Sequence, residues 1–216
     1  MSNRINKSSK RLIILSPFVV IAIGHLTIQV TGIWLGVWAW VPFILVFWAI
    51  LSLLIVRYGG REAINRWLSR SRGSWIWRLL AVAVGLIPLF IFLQNWHLLS
   101  PLWVWLPWLL FGLINPWFEE GYWRGLLLDA AEDFPAWAGV LYSSVMFAVS
   151  HPLMLGVYSI AHRDPALLIS TFVMGVCWAI IYRRTGSIRW TIFSHTLVDL
   201  LALSVAVFLN LYIPGK

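Results

Sequence analysis

The sequence predicts an all-α, polytopic transmembrane helix bundle of about seven spans with a cytoplasmic N-terminus, and three observations carry that prediction. Hydrophobic residues make up 61% of the chain and charged residues only 11%, with a mean hydropathy of +0.83, whereas a soluble domain carries about 25% charged residues. The apolar residues fall in runs long enough to cross a hydrocarbon layer roughly 30 Å thick. The basic residues lie in short tracts between those runs. A chain of 216 residues has too little interior to hide this much apolar surface from water, so lipid is the solvent for much of it.

The runs lie at about 12–31, 33–56, 77–94, 99–129, 135–152, 166–182 and 190–212. The first follows Arg4, Lys7, Lys10 and Arg11, as in a signal peptide, but it has no small-residue cleavage pattern and a second run follows at once, so it is expected to be retained. Cytoplasmic segments carry the excess of Lys and Arg. With the N-terminus inside, the inner segments hold those four residues, then Arg57, Arg61, Arg66, Arg70, Arg72 and Arg78, then Arg183, Arg184 and Arg189, thirteen of the sixteen basic residues. Arg163 and Lys216 fall outside and Arg124 lies within a run. The net charge of +8 is thus a topology signal, and no basic face of the kind that binds nucleic acid is present. Residues 1–216 read as a single transmembrane domain without repeats. The sixteen Trp residues suit membrane interfaces, and the single cysteine, Cys177, excludes an intramolecular disulfide. Short loops and small size favour a bacterial inner membrane.

Three ionisable groups interrupt the fourth run within six positions: Glu119, Glu120 and Arg124. An unpaired charge at the centre of a membrane helix costs about 2.5–3.5 kcal/mol on insertion scales, so these groups must be paired or face a wet cavity. Glu120 and Arg124 are four apart and share a helix face, which predicts a structural ion pair. Glu119, rotated by about 100°, is left without a charged partner on its own helix and is the better general base for water. Later runs carry His151, in Phe147-Ala148-Val149-Ser150-His151, and His195 with Asp199 one turn on. Asp199 is placed to orient or charge the imidazole. Ser194 is no nucleophile for His195, since sequence neighbours on a helix point to different faces. His25, His97 and His162 read as interfacial or packing residues, and Asp129, Glu132 and Asp133 as a solvated acidic turn before Pro135.

Glu-Glu-x-x-x-Arg at 119–124, Phe-x-x-x-His at 147–151 and His-x-x-x-Asp at 195–199 stand in that order, each in a separate run, with Arg-Thr-Gly-Ser at 184–187 before the last. The set resembles the motifs of the CPBP family (CAAX protease and bacteriocin-processing), which includes the type II CAAX prenyl endopeptidases; the motif core covers about 115–200. That resemblance implies an intramembrane endopeptidase in which Glu119, aided by His151, activates a water and His195 stabilises the oxyanion. It implies a substrate that is a membrane-anchored protein or peptide precursor, with the lipid bilayer as the other partner. Asp199 departs from the Asn that prenyl endopeptidases typically carry there, and an ionised carboxylate cannot donate to an oxyanion.

No cofactor is required in this reading, although Glu119, His151, His195 and Asp199 also make an acceptable N/O set for a divalent metal such as zinc. Against zinc, no His-Glu-x-x-His pair lies on one helix. Two other classes compete: a non-catalytic immunity or partner-binding protein that keeps the fold, and a proton-coupled transporter, which would also bury carboxylates and histidines but is disfavoured by the lack of an internal repeat.

Overall fold

The computed structural model describes residues 6–214; Arg4 and Lys216, two of the charges in the topology reading, lie outside them. The described residues are helical with no strand, as backbone in lipid requires, because an α-helix satisfies its own N–H and C=O groups. The helices are α1 (Lys7–Leu35), α2 (Trp40–Leu54), α3 (Gly60–Trp67), α4 (Ile76–Gly85), α5 (Leu89–Asn95), α6 (Leu102–Glu120), α7 (Leu127–Ala130), α8 (Ala136–Met154), α9 (Pro165–Thr185), α10 (Arg189–Leu201) and α11 (Ser204–Phe208). Among the described residues, four helical runs are long and apolar enough to cross a membrane: Lys7–Trp67, Ile76–Leu99, Ala136–Val157 and Pro165–Thr185. The first is two legs joined by a 3-10 turn at Gly36–Ala39. Large apolar side chains such as Phe18, Trp34, Leu53, Phe90 and Trp137 point outward, a surface suited to lipid rather than water. The chain is an all-helical, multi-pass membrane protein.

Local chemistry sets the boundaries. Asn6 caps α1 by accepting from the Ser9 amide at 2.8 Å, and Asp164 caps α9 by accepting from Ala166 at 2.8 Å, the role short polar side chains play at helix starts. Pro165 at the first position of α9 loses no hydrogen bond. That helix ends on Gly186, whose φ of +67° suits the left-handed stop glycine tolerates, with its N–H bonded to Tyr182 O. Three predicted runs are broken where hydropathy alone shows no break. The second begins with the Gly36–Ala39 turn, the third bends at Leu86–Pro88, and the seventh stops at Ala202–Leu203, where Leu203 adopts φ +56°. The tract 60–67, read as an inner loop, is the helix α3.

The chain ends of these helices gather in two groups. At one, Lys10 bridges to Glu132 and Asp133 at 2.9 and 2.6 Å, Ser187 Oγ donates to Ser69 O at 2.7 Å, and the Arg72 amide donates to Thr185 O at 2.9 Å. At the other, Asn210 Nδ2 donates to Tyr158 O and Asn210 Oδ1 accepts from the Ile160 amide. The acidic turn is therefore no free loop. Asp129 accepts from Tyr182 Oη at 2.6 Å, from Trp67 Nε1 at 2.8 Å and from Arg66, because α3 and α9 both reach it.

Between the ends, α10 packs against α4 and α6, and α8 against α9. Gly112 on α6 lets α10 approach closely: a Cβ there would stand 2.5 Å from Leu200 Cδ2. Such small-residue contacts drive association where water gives no hydrophobic push. They bring the polar faces of α6, α8 and α10 to the middle of the bundle.

Candidate active site

Glu119 and Glu120 end α6, and the chain then widens into a π-helical turn, Gly121–Leu126, that carries Arg124. Such turns hold one more residue than an α turn and recur at functional sites. Despite the altered pitch, Arg124 Nη1 stands 3.3 Å from Glu120 Oε1, and both side chains are fully buried. No side-chain nitrogen of Arg124 makes a hydrogen bond among the described residues. Its guanidinium instead lies over the rings of Phe147 and Trp178, 4.3 and 5.2 Å from their centroids, contacts worth about 2 kcal/mol or more when desolvated.

The sequence pairs His195 with Asp199, but the imidazole has a different main partner. His195 Nδ1 lies 3.0 Å from Glu120 Oε1, within hydrogen-bond reach, while Nε2 lies 3.4 Å from Glu119 Oε2 and 3.7 Å from Asp199 Oδ1. Glu120 therefore serves both Arg124 and His195, the second across 75 residues of sequence. The ring is stacked on Trp178, with centroids 4.4 Å apart and planes at 21°, and meets Phe147 edge-on at 5.9 Å. Trp178 is itself fixed by donating Nε1–H to Ser194 Oγ at 2.8 Å.

Glu119 is less isolated than its helix face suggests. Asn115, one turn earlier, donates from Nδ2 to Glu119 Oε2 at 3.1 Å and to Asp199 Oδ2 at 3.2 Å, and its Oδ1 accepts from Trp48 Nε1 at 3.0 Å. One amide thus holds two carboxylates from two helices. The i, i+4 spacing of Asn115 and Glu119 is a readable signal for the first contact. The reach to Asp199 and the Trp178 stack are tertiary and leave no local trace.

His151 on α8 hydrogen-bonds through Nδ1 to Phe147 O at 2.8 Å. A carbonyl only accepts, so this nitrogen carries the proton and a neutral ring presents Nε2 as an acceptor. His162, read as an interfacial or packing residue, is buried, bonded to Ser159 Oγ at 2.8 Å and stacked 6.1 Å from His151. Burial, aided by the neighbouring His151, holds the His162 imidazole well below its usual range, at about 3.

Glu119, His151, His195 and Asp199 all line one cavity of about 500 Å³, whereas Glu120 and Arg124 do not reach it. Aromatic walls, including Trp40, Phe43 and Phe208, make up much of the rest. No three His, Cys, Asp or Glu side chains among the described residues stand grouped as a metal site; in the set read as possible zinc ligands, His151 Nδ1 bonds a carbonyl and His195 Nδ1 bonds Glu120, an arrangement that leaves Nε2 of each ring available to a ligand.

No curated protein and no solved structure matches the chain. Residues 101–201, the segment from the start of α6 to the end of α10 that holds Asn115, Glu119, Glu120, Arg124, His151, His195 and Asp199, match the family described as Rce1-like, type II CAAX prenyl endopeptidase. Over residues 101–201, a little under half of the chain, the sequence is thus similar to the Rce1-like type II CAAX prenyl endopeptidase family, in agreement with the resemblance of its motifs.

Proposed function

We propose that the protein is an intramembrane endopeptidase that hydrolyses a peptide bond near the C-terminus of a membrane-anchored protein or peptide precursor, using a water activated by Glu119. The observation that carries this reading is the convergence of Glu119, His151, His195 and Asp199 on one cavity walled by apolar side chains. Such a site offers a base, an orienting group and a donor, the minimum for acyl-transfer hydrolysis without a nucleophilic Ser or Cys.

In this scheme His151 Nε2 and the Glu119 carboxylate hold the water, and Glu119 takes its proton as the oxygen attacks the scissile carbonyl carbon. His195, donating Nδ1–H to Glu120, turns Nε2 to the cavity; a second proton there donates to the developing oxyanion, with Asp199 at 3.7 Å offsetting the imidazolium charge. Collapse of the tetrahedral species breaks the C–N bond, and the proton on Glu119 passes to the leaving amine. Asn115 keeps both carboxylates in place throughout. The scheme requires no metal; chelation should leave the rate unchanged, and loss reversed by zinc would replace the glutamate-activated water with a metal-bound one.

The test is to reconstitute the full chain with substrates bearing prenylated and unprenylated C-terminal tails and to map new termini by mass spectrometry. Wild type should release a defined C-terminal fragment and Glu119→Gln none. A folded wild type that cleaves nothing in such a panel supports the non-catalytic alternative. We further propose seven spans with the N-terminus cytoplasmic, in a bacterial inner membrane. In a Cys177→Ala background, Arg72→Cys should label only from the cytoplasmic face and Ile160→Cys only from the other; labelling of both from one face breaks the seven-span topology.

A further inference from the structure

A second recess, of about 390 Å³, lies at the arginine-rich end of the bundle, away from the cavity just described, and is lined by Arg70, Ser71, Arg78, Arg189, Trp190 and Phe193. Three guanidinium groups sharing one small recess repel each other unless something negative joins them. Little at that end can. Asp129 is taken by Arg66, and Glu132 and Asp133 by Lys10; none of Arg70, Arg78 and Arg189 has an ion-pair partner among the described residues.

Two further features show that the recess is built for an acceptor. The Ser71 hydroxyl belongs to a side chain only 9% exposed and has no hydrogen-bond partner, and the Arg78 Nε is likewise buried and unpartnered. Leaving a buried donor unmade costs about 1–3 kcal/mol. The recess also lies at the first turns of α4 and α10: Arg78 is the third residue of α4, and Arg189 and Trp190 are the first two of α10. Ser74 Oγ and Ser187 Oγ accept from the first amides of these helices, those of Ile76 and Arg189, at 3.4 and 3.3 Å. The positive ends of two helix dipoles favour a multivalent oxyanion there. The rest of the wall is aromatic, with Phe193 45% exposed beside Trp190, a surface that an ionic ligand alone would leave uncovered but that an acyl chain covers.

We propose that this recess binds the phosphate headgroup of an anionic membrane lipid, with Arg70, Arg78 and Arg189 and the Ser71 hydroxyl on the phosphate oxygens and the start of an acyl chain against Trp190 and Phe193. Juxtamembrane arginines attract such lipids electrostatically in general; the recess adds a shaped site with donors that no protein group uses. The proposal is independent of the peptidase reading, since no lining residue belongs to the proposed catalytic set.

The test is thermal stability and native mass spectrometry of the full chain in a zwitterionic detergent, titrated with short-chain phosphatidylglycerol, short-chain phosphatidylcholine or inorganic phosphate. Phosphatidylglycerol should raise the melting temperature and remain bound, with phosphatidylcholine and phosphate giving no comparable shift. The double variant Arg78→Gln/Arg189→Gln should weaken phosphatidylglycerol binding by about fivefold or more per arginine. Without lipid it should melt no lower than wild type, because it removes repulsion and no partner; a purely structural role would lower it. Should that variant fail to fold, Ser71→Ala with Arg70→Gln carries the same test at the rim. Equal binding of both lipids, an unchanged response in the folded variants, or a full shift with inorganic phosphate alone would overturn the assignment.

Discussion

The two sides of the His195 ring are built to opposite specifications. On one, Nδ1 meets Glu120, which is shared with Arg124 and closed in by Phe147 and Trp178; on the other, Nε2 meets Glu119 and Asp199 at the wall of a cavity. The glutamates are sequence neighbours of identical chemistry. A rotation of about 100° along α6 sends one carboxylate into a sealed network and the other to a space a substrate can enter. Residue type therefore says little about role here, and the side of the helix says nearly everything.

The comparison is tested most severely by exchanging the carboxylates for amides. Glu119→Gln should lower the cleavage rate by about 10²–10⁴-fold, the range for removal of a general base, with expression and melting temperature close to wild type. Glu120→Gln should be the destabilising one, by about 3–5 kcal/mol in thermal or denaturant unfolding, because it leaves the Arg124 charge buried without its counter-ion. Comparable unfolding in both variants would erase the distinction between the two sides.

Asn115→Ala probes the cavity side more gently. It frees two carboxylates at once and should lower the rate by about tenfold, at a cost of about 1–3 kcal/mol from unmet hydrogen bonds; a rate loss with KM unchanged would locate the effect in the chemical step. The smallest effect is expected on the sealed side with Trp178→Phe, which keeps an aromatic face for His195 but drops the bond to Ser194. A stability loss of about 0.5–1.5 kcal/mol, with a rate within a fewfold of wild type, would show that stacking matters there more than the indole N–H.

What the sequence made legible follows from the range of each interaction. Hydropathy exposes the apolar runs because lipid imposes their length, and Asp164-Pro165 and Gly186 mark the ends of α9 by local backbone chemistry. Contacts one helical turn apart can be read in the same way, as with Glu120 and Arg124 or Asn115 and Glu119. The sequence pairs His195 with Asp199 for that very reason, and the pair stands at 3.7 Å; Glu120, at 3.0 Å, arrives only when α6 and α10 pack around Gly112. The same limit hides the partners of Asp129. Its neighbours Trp67 and Tyr182 come from helices far away in sequence, and a polar turn before a proline resembles a solvated loop until they reach it. The bends at Leu86–Pro88 and Leu203 have the same origin, since tertiary packing tolerates conformations that the local apolar pattern does not announce.

The wide turn at Gly121–Leu126 sets the phase of everything after it. By holding one residue more than an α turn, it offsets the following residues by one place relative to an unbroken helix, about 100° of azimuth. The two polar anchors on this stretch, the carboxylate pair before the turn and Asp129 after it, are therefore clocked against each other by a single residue. Deleting one residue between Gly121 and Leu126 would leave hydropathy and length nearly unchanged, yet swing Asp129 away from Tyr182 and Trp67 while Glu119 stayed where it is. In this helix, counting residues is as much a specification of the protein as naming them.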